Sequence, residues 1–539
     1  MDQRKNILVE RVEQLVEIGT ALSAESDTSA LLERILSGAK DLTGADAGTV
    51  YRVGDDHRLH FETVRNDTLG LHLGGITGKP VTFPPLPLYR EDGSPNEKNV
   101  AAYVALSGNA VRIADAYHAE GFDFSGTRKV DESTGYRSKS FLTAPMKNHE
   151  DTVIGVLQLI NAVDTETSEV APFTEADERL VVSLASQAAT ALTKKELIDA
   201  QRHLFESFTK VIAKGIDRKN PATGGHCERV PKLTMMIADA ACATREGPLA
   251  DFTLSEDQYY ELGVAAWLHD CGKVTTPEAV INKSTKLEAQ TDRIEEIATR
   301  AAVIKGQAEA AMYRQIAEGR RTGGDAPWEE FEAFCRQLDD DLGFLREANK
   351  GGEFMRDEDL ERIDRIASAY TWTDADGTVR PLLTEDETHH LKIRRGTLSE
   401  EEFQIMRDHV SVTLEMLEEL PYPKYLRNVP EIAANHHERM DGKGYPRGLT
   451  GDQMSVQERM VAVADIFEAL TAADRPYKTG KPLSEALKIM GFMTKEGHLD
   501  PILFNLFIRE KVYLNYADGF LKPEQIDHVD ETSLPGYEG

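Results

Sequence analysis

The sequence predicts a multidomain protein in which an α+β domain is followed by a long helix and an all-α domain. Short strand-like runs separated by Gly, Asn and Asp, such as GTVYRV, LHFETVRN and VIGVLQLINAV, occupy residues 48–163. Residues 173–215 then have apolar positions at helical spacing with no Pro or Gly before Gly215, and helical patterns continue to about residue 515. A chain of 539 residues is too long for one hydrophobic core, so several domains are expected.

Composition and periodicity divide the chain into five segments. They are an N-terminal helix (1–24), the α+β domain (25–172), a connector helix (173–215), a helical domain (216–520) and a C-terminal tail (521–539). Along one side the connector carries four leucines, Leu180, Leu184, Leu192 and Leu204. A long helix exposes such positions unless it finds a partner. We therefore expect a parallel homodimer joined along the connector, which would carry a signal from the first domain to the second.

Charge and cysteine usage exclude several classes of protein. The formal charge is −30, from 62 basic and 92 acidic residues, which argues against binding of a nucleic-acid polymer through a basic face. The N-terminus has scattered charges and lacks the apolar core of a signal peptide, and no stretch approaches the roughly 18 apolar residues of a membrane span. The four cysteines include no CxxC pair. These features predict a cytoplasmic protein without membrane insertion.

Five neighbourhoods in the helical domain carry residues suited to metal binding. The motifs TGGHCERV, WLHDCGK, MRDH, NHHERMDGKGYP and VADIFEAL hold His226, His269, Asp270, His409, His436, His437 and Asp465. Imidazole combined with carboxylate suits Fe, Mn or Zn. Because a carboxylate can bridge two cations, a pair of metals could hold both oxygens of an in-line displacement at phosphorus. The core of a helical bundle can assemble ligands from such distant segments.

Each neighbourhood alone has a plainer interpretation. A single buried His or His-Asp pair is usually structural, and His436 with His437 could be a surface pair. Asp465 lies in an apolar stretch, so it must be paired or coordinated if it is buried. Cys227 and Cys271 lie beside ligand candidates and could be soft ligands, although isolated cysteines are more often small buried hydrophobes. The presence of all five neighbourhoods in one helical region favours a metal site.

These motifs resemble one enzyme family. The segment HHERMDGKGYP (436–446) closely resembles the signature of the HD-GYP family, and HDCGK (269–273) resembles its HD motif. The resemblance extends over about 205–286 and 395–510 and includes TGGHCERV and VADIFEALTAADRPYK. The family consists of all-α, metal-dependent phosphodiesterases that linearise bacterial cyclic dinucleotides, chiefly cyclic di-GMP. The resemblance implies that this chain hydrolyses cyclic di-GMP to linear pGpG, to GMP or to both.

The resemblance also implies roles for individual residues. One divalent ion would be held by His226, His269, Asp270 and Asp465, and a second by Asp270, His409, His436 and His437; we expect both to be Fe or Mn. Lys273 would face the scissile phosphate and stabilise negative charge, with a solvated surface lysine as the alternative. Arg475 and Lys478 match the phosphate-contacting basic pair of the family. Tyr445 would border the substrate or a signalling protein that binds the Gly-Tyr-Pro loop, or it would only pack the turn.

The chain departs from the family pattern at three places. Ala222 occupies the position where some members have a Glu that binds a third metal, so we expect two metals. The stretch between Asp465 and Arg475 is one residue longer than the commonest pattern. Residues 288–395 form an insertion that is rich in Glu, Arg and Ala and mostly helical in pattern. The sequence leaves open whether this insertion is a decorative helical hairpin, a lid or an interaction arm.

The N-terminal domain resembles a different family. VIGVLQLINA followed by FTEADERLVVSLASQAATAL resembles the end of a GAF domain, a sensor fold with a central antiparallel sheet, over about 25–195. TGYRSKSFLTAPMKN resembles the cyclic-nucleotide-binding kind, which makes a cyclic nucleotide the candidate ligand. No cysteine lies in this region, which argues against a covalently attached bilin. Haem bound through His57, His60, His72, His118 or His149 is one alternative, and a dimerisation module with an empty pocket is another.

Two kinds of function remain open. The first is a phosphodiesterase regulated by its GAF domain. The second is a non-catalytic signalling protein whose helical domain binds a cyclic dinucleotide or a partner and only reports it. A degenerate domain should have lost ligand positions, whereas this sequence fills all seven and retains Lys273. Among enzymes, a phosphohydrolase for another cyclic dinucleotide, such as cyclic GMP-AMP, is the alternative.

Overall fold

The structure, a computed structural model, describes residues 2–25, 27–164, 167–219, 225–320, 325–351, 354–473 and 480–539. The chain divides into two compact units, Met1–Leu204 and Phe205–Gly539. Among the helices of these described ranges, none combines the length and the apolar character needed to cross a bilayer.

The first unit has the predicted α+β architecture. Its helices are α1 (Asp2–Ala24), α2 (Thr28–Thr43), α3 (Val100–Ser107), α4 (Ser125–Thr134) and the first part of α5 (Glu175–Lys219). Its strands are β1 (Ala45–Val53), β2 (Arg58–Asn66), β3 (Leu71–Gly74), β4 (Leu86–Pro87), β5 (Val111–Ile113), β6 (Phe141–Lys147), β7 (Val153–Val163) and β8 (Val170–Ala171). They form one antiparallel sheet in the order β3-β2-β1-β7-β6-β5, with β4 paired to β2 and β8 to β7.

Local signals in the sequence explain how this unit begins. The Asp27 side chain accepts a hydrogen bond from the Ala30 N–H and caps α2, which ends at Gly44 with a left-handed φ of 65°. Helix α2 then turns directly into β1 at the centre of the sheet. The apolar faces of α1, α2 and α5 share a core with inward-facing residues of β1, β6 and β7.

The predicted role of the connector leucines is partly wrong. Leu180, Leu184 and Leu192 are buried in the core of the first unit, so their own domain covers them and they do not require a partner chain. Leu204 differs, because 59% of it is exposed. The apolar stripe predicted a buried face correctly but could not identify the neighbour that buries it.

Helix α5 is longer than the predicted connector. It runs without interruption through Gly215 and has 45 residues. A Cβ atom at Gly215 would meet nothing within 4 Å, so this glycine serves no close contact. One glycine costs a helix only about 1 kcal/mol relative to alanine, which is too little to end a helix that packs on both sides of it.

The second unit is helical. After the last part of α5, its helices are α6 (His226–Ala243), α7 (Glu256–Leu268), α8 (Glu278–Ile281), α9 (Ile294–Ala317), α10 (Asp325–Asn349), α11 (Asp357–Ala369), α12 (Glu385–Leu391), α13 (Glu400–Glu418), α14 (Val429–Ala434), α15 (Val456–Thr471), α16 (Leu483–Lys495), α17 (Pro501–Arg509) and α18 (Val512–Phe520). Two short strands, β9 (Thr371–Thr373) and β10 (Val379–Pro381), form a hairpin that the helical pattern did not predict.

This unit contains two separate hydrophobic cores. The larger core joins α6, α7 and α14–α18. The smaller one lies between Leu287 and Leu391 in sequence and includes residues of α9, α10, α11 and α12. The residues between Leu287 and Leu391, which include the expected insertion, therefore have a core of their own and are more than a helical hairpin.

Candidate functional site

All seven side chains that the sequence marks as metal ligands meet in the second unit. His226 begins α6, His269 and Asp270 directly follow α7, His409 lies in α13, His436 and His437 form a 3₁₀ turn after α14, and Asp465 lies in α15. All are buried except His437, which is half-buried. Buried polar side chains need partners, so their collection in one place calls for a chemical explanation.

Three of the helices that supply these residues begin with the same local device. Ser255, Ser399 and Ser455 each cap the start of α7, α13 or α15 in a reciprocal capping box with the side chain three residues later. The capping serine before each apolar run thus marks the residue at which each helix starts. The start of the helix in turn fixes which face carries His409 or Asp465.

The first group of ligands surrounds one oxygen of Asp270. The Nε2 atom of His226 lies 3.3 Å from Oδ2 of Asp270 and 3.3 Å from Oδ1 of Asp465. The Nε2 atom of His269 lies 3.4 Å from the same Asp270 Oδ2. Ligand atoms of His226, His269 and Asp270 all lie within 4.8 Å of one another, which is close enough for one cation.

The second group faces the other oxygen of Asp270. The Nε2 atom of His409 lies 3.3 Å from Asp270 Oδ1, and that of His436 lies 3.9 Å from it. Ligand atoms of His409, His436 and His437 lie within 4.8 Å of one another. The two oxygens of one carboxylate are therefore directed at two different groups of histidines, as a bridging carboxylate requires.

Hydrogen bonds determine which nitrogen of each ring is free. The Nδ1 atom of His269 lies 2.8 Å from the Ala266 carbonyl oxygen, and that of His436 lies 2.6 Å from the Ala433 carbonyl oxygen. A carbonyl only accepts, so each Nδ1 carries the proton and each Nε2 presents a lone pair. The Nδ1 atom of His409 makes the same bond to the Met406 carbonyl.

Three buried atoms at the centre of the site have no hydrogen-bond partner among the residues that the structure describes. They are Oδ1 of Asp270 and the Nε2 atoms of His409 and His436. Buried polar atoms in native proteins are almost always satisfied, by protein, water or an ion. Two imidazole lone pairs and a carboxylate oxygen that converge in this way fit a divalent cation, and imidazole with carboxylate is the donor set for Fe, Mn or Zn.

The protonation states of His436, His437 and Asp270 suit a metal centre. Burial lowers the pKa of His437 to about 3, and burial together with His437 and His269 holds the pKa of His436 well below its usual value. Burial raises the pKa of Asp270, but the charge of Lys273 and the nearby imidazole of His269 outweigh it and hold that pKa well below the usual range. Neutral imidazole and ionised carboxylate are the forms that bind metals.

Lys273 lies inside this site and is not a surface lysine. Its side chain is 18% exposed, and its Nζ atom lies 2.5 Å from Asp270 Oδ2. Burial lowers the pKa of Lys273, but the charges of Asp270 and Asp465 outweigh it and raise the pKa, so the amine is protonated. The structure thus pairs this cation with Asp270, a contact that the sequence did not indicate.

Tyr445 borders the second group of ligands. Its ring stacks on the His437 ring, with centroids 4.9 Å apart and planes inclined by 26°. The turn that carries it requires glycine at 444, because a Cβ there would lie 2.5 Å from the Cα of Glu438 and the backbone nitrogen of Arg439.

Three positions singled out in the sequence lie outside the described residues. They are Arg475 and Lys478, which are predicted to bind phosphate, and Ala222.

Glu468 is a part of the site that the sequence reading missed. Its carboxylate pairs with Nδ1 of His226 and, at 2.6 Å, with Arg229. Carboxylates that hold the second nitrogen of a metal-binding histidine fix its orientation. The spacing of Asp465 and Glu468 was an available signal, because residues three apart share a helix face.

Gly272 is a second missed feature, since it lets the turn after α7 approach α13. Its N–H donates to Thr413 Oγ1 at 2.9 Å, and Thr413 Oγ1 lies 3.3 Å from the His269 carbonyl oxygen, to which it donates. A Cβ atom at Gly272 would lie 2.0 Å from the His409 carbonyl oxygen. The absence of a side chain at this position therefore allows the turn after His269 and Asp270 to lie against the backbone of α13 at His409.

Gly272→Ala should destabilise the second unit. Because the new methyl would overlap backbone atoms of α13, the free energy of unfolding should fall by about 1–3 kcal/mol or more, as measured by denaturant titration. Gly519→Ala in α18 is the matched control, since a Cβ there meets nothing within 4 Å and alanine favours a helix by up to about 1 kcal/mol. Equal stability of the two variants would contradict the close approach.

The first unit contains a cavity of about 710 Å³ at its sheet. Aromatic side chains contribute much of its wall, among them Phe61, Phe83, Phe124 and Phe141. None of the described residues that line it is a histidine. Three of the histidines considered for haem pair elsewhere with carboxylates, His60 with Asp56, His72 with Glu33 and His118 with Asp115. The cavity gives no support to haem binding.

Comparison with known proteins assigns a domain to each unit. Residues 27–192 match the family model of the GAF domain, and residues 385–503 match that of the HD domain. A solved GAF domain from an Acinetobacter phosphoenolpyruvate-protein phosphotransferase is 17% identical and covers 35% of this chain and 98% of that chain, with a TM-score of 0.26.

Several curated phosphodiesterases match part of the chain. It is 40% identical over 114 residues to a cyclic di-GMP phosphodiesterase of Pseudomonas aeruginosa, covering 21% of this chain and 26% of that protein. It is 44% identical over 96 residues to a cyclic di-GMP phosphodiesterase of Thermotoga maritima, covering 18% and 26%. It is 38% identical over 131 residues to a 3'3'-cGAMP-specific phosphodiesterase of Vibrio cholerae, covering 24% and 28%. The matches span about a quarter of the length of these relatives.

Proposed function

We propose that this chain, in which a GAF domain precedes an HD domain, is a phosphodiesterase of the HD-GYP type that hydrolyses cyclic di-GMP. The observation that carries the proposal is the position of Asp270, whose two oxygens face two separate groups of histidines at 3.3–3.9 Å. The relatives named cyclic di-GMP phosphodiesterase support the choice of substrate.

The site would hold two divalent ions, Fe or Mn. His226, His269, Asp270 and Asp465 would bind the first, and Asp270, His409, His436 and His437 the second. When bound, two such ions acidify a water molecule and neutralise negative charge on a phosphoryl group. The carboxylates around His226 support the binding of cations. Burial lowers the pKa of His226, but Glu468, Asp270 and Asp465 outweigh burial and raise that pKa well above its usual value. The local electrostatic field therefore favours positive charge.

The residues of the chain would contribute orientation and charge to the reaction. Backbone carbonyls hold the Nδ1 protons of His269 and His436, which keeps each ring in one tautomer and one direction. Lys273, protonated and beside Asp270, would stabilise the negative charge that develops on the phosphoryl oxygens. Burial of the ligands excludes bulk water and strengthens these electrostatic interactions.

A second substrate deserves a direct comparison because one relative is named as specific for 3'3'-cGAMP. The metal-loaded protein should be incubated separately with cyclic di-GMP and 3'3'-cGAMP, and the products separated over time. We expect linear pGpG, GMP or both from cyclic di-GMP, at the higher rate of the two. Faster turnover of 3'3'-cGAMP would select that substrate, and no turnover of either would favour the non-catalytic binding protein.

The GAF domain would bind a cyclic nucleotide in its 710 Å³ cavity. Phenylalanine side chains in the wall suit a purine ring, and Lys98, which also lines the cavity, suits a phosphate. Equilibrium binding of cyclic GMP and cyclic AMP to the intact protein tests this assignment. Failure of both to bind would favour a dimerisation module with an empty pocket.

Homodimerisation would occur along the outer side of α5. Leu197, Leu204, Phe208 and Val211 are each 59–66% exposed there. The first, second and fourth are seven residues apart, which is the spacing of a two-stranded coiled coil in which a second copy covers the same stripe. At its end, Lys219 of α5 donates to the carbonyl oxygens of Val274 and Thr276, just after Lys273. A shift of the helix could therefore reach the active site.

A double substitution tests this dimer. Leu204→Glu with Phe208→Glu places two negative charges in the exposed apolar stripe of α5. The protein should then sediment as a monomer, and its hydrolysis should no longer respond to a GAF ligand. Lys210→Glu is the control, because it changes the net charge by the same amount at an exposed position without removing an apolar side chain. A monomeric wild-type protein would contradict the proposal.

A further inference from the structure

Arg407 occupies a distinctive position beside the proposed active site. It lies in α13, two residues before His409. Its guanidinium carbon is 4.5 Å from the centre of the Tyr445 ring, and that ring stacks on His437. Arg407 is thus separated from a proposed metal ligand by a single aromatic ring.

The guanidinium of Arg407 has no acidic partner among the residues that the structure describes. Its recorded contacts are with the rings of Phe403 and Tyr445. Three other arginines of the same unit are each paired with a carboxylate, Arg439 with Asp441, Arg447 with Glu431 and Arg459 with Asp500. In a chain with 92 acidic and 62 basic residues, an unpaired arginine at an active site is available to an anionic ligand.

The proposed substrate supplies such an anion. A cyclic dinucleotide contains two phosphodiester groups in one ring, and only one of them can lie at the metal centre at a time. Guanidinium binds phosphate through paired, charge-assisted hydrogen bonds. Resting on the proposed function, we propose that Arg407 binds the phosphodiester of the cyclic dinucleotide that is not being hydrolysed.

This role is one of positioning. Among the described residues, Arg407 contacts neither the proposed metal ligands nor Lys273, so we assign it to binding and not to the bond that breaks. Removing the Arg407 guanidinium should weaken binding of the cyclic dinucleotide and leave the rate of the chemical step unchanged. A substrate with a single phosphodiester has nothing for Arg407 to bind, and this difference separates recognition from structural support.

The test compares two substrates. Arg407→Gln should raise the KM for cyclic di-GMP by about tenfold or more, the loss expected for a charged hydrogen bond, with little change in kcat. Hydrolysis of bis(p-nitrophenyl) phosphate, which has one phosphodiester, should stay within about twofold of wild type on the same grounds. Arg407→Lys should recover part of the KM because it restores the charge without the planar fork.

Arg336→Gln in α10 is the matched control, since that side chain is 70% exposed and pairs with Glu332. An equal loss of kcat/KM on both substrates would mean that Arg407 only supports Tyr445 and His437. Unchanged kinetics on both substrates would mean that Arg407 has no role. Either result overturns the inference. A wild-type protein that fails to hydrolyse cyclic di-GMP would instead refute the proposed function, and the inference about Arg407 would fall with it.

Discussion

Replacing Asp270 with alanine is expected to abolish hydrolysis of cyclic di-GMP and to reduce the metal content of the protein far below that of the wild type. Among the described residues, this carboxylate reaches both groups of histidines, with Oδ2 beside His226 and Oδ1 beside His409, each at 3.3 Å. Removing it therefore takes a ligand from both proposed metals at once. It also leaves the buried cation of Lys273 without its partner.

Elemental analysis and product separation measure the two effects on the same preparation. Asp270→Asn should accompany the alanine variant, because it keeps the shape of the side chain while removing the charge, and circular dichroism should verify that both fold. Asp518→Ala, at an exposed position of α18, is the control and should match the wild type. Normal metal content in the folded Asp270 variants would refute the bridging role.

Lys273→Ala should lose turnover while keeping its metal. Removing a preorganised charge that stabilises a transition state costs roughly 3–4 kcal/mol, or about 10²–10³ in kcat, by analogy with oxyanion-hole donors. Lys273 donates to Asp270 and is not proposed as a metal ligand. Removing its positive charge from beside the site does not weaken the attraction of the site for a metal cation. Metal content should therefore equal that of the wild type.

Single-turnover kinetics with a metal assay on the same sample measure this separation. Lys488→Ala, an exposed lysine of α16, is the control. A Lys273 variant with the wild-type rate would show that its charge does not reach the transition state. Loss of metal from it would show that Lys273 acts by orienting Asp270, the residue that it contacts in the structure.

The fold class could be read from the sequence because its signals are local. Alternating apolar runs separated by turn residues predicted the sheet, and the long run without a helix breaker predicted α5; the domain matches confirm the α+β GAF domain and the helical HD domain. The same reasoning failed for Leu180, Leu184 and Leu192, because a helical stripe does not reveal whether its own domain or another chain covers it. The hairpin of β9 and β10 was missed because each strand has only three residues.

The candidate site was readable for a different reason. Histidine and aspartate in several motifs are rare enough to be noticed, and the structure brings these seven side chains together. Contacts between distant segments left no comparable signal. The fit of Gly272 against α13, the bond from Thr413 to the His269 carbonyl and the pairing of Lys273 with Asp270 depend on packing that no local pattern encodes. Glu468 could have been found from its spacing to Asp465.

The number of metal ions per chain is the most direct test of the account, because every proposed role of the active site depends on the two groups of histidines that share Asp270. Elemental analysis of protein purified without oxygen, before and after reconstitution with Fe or Mn, measures it. The account predicts two ions per chain, with Ala222 where a third-metal Glu would be. Three ions per chain, or none after reconstitution, would contradict it.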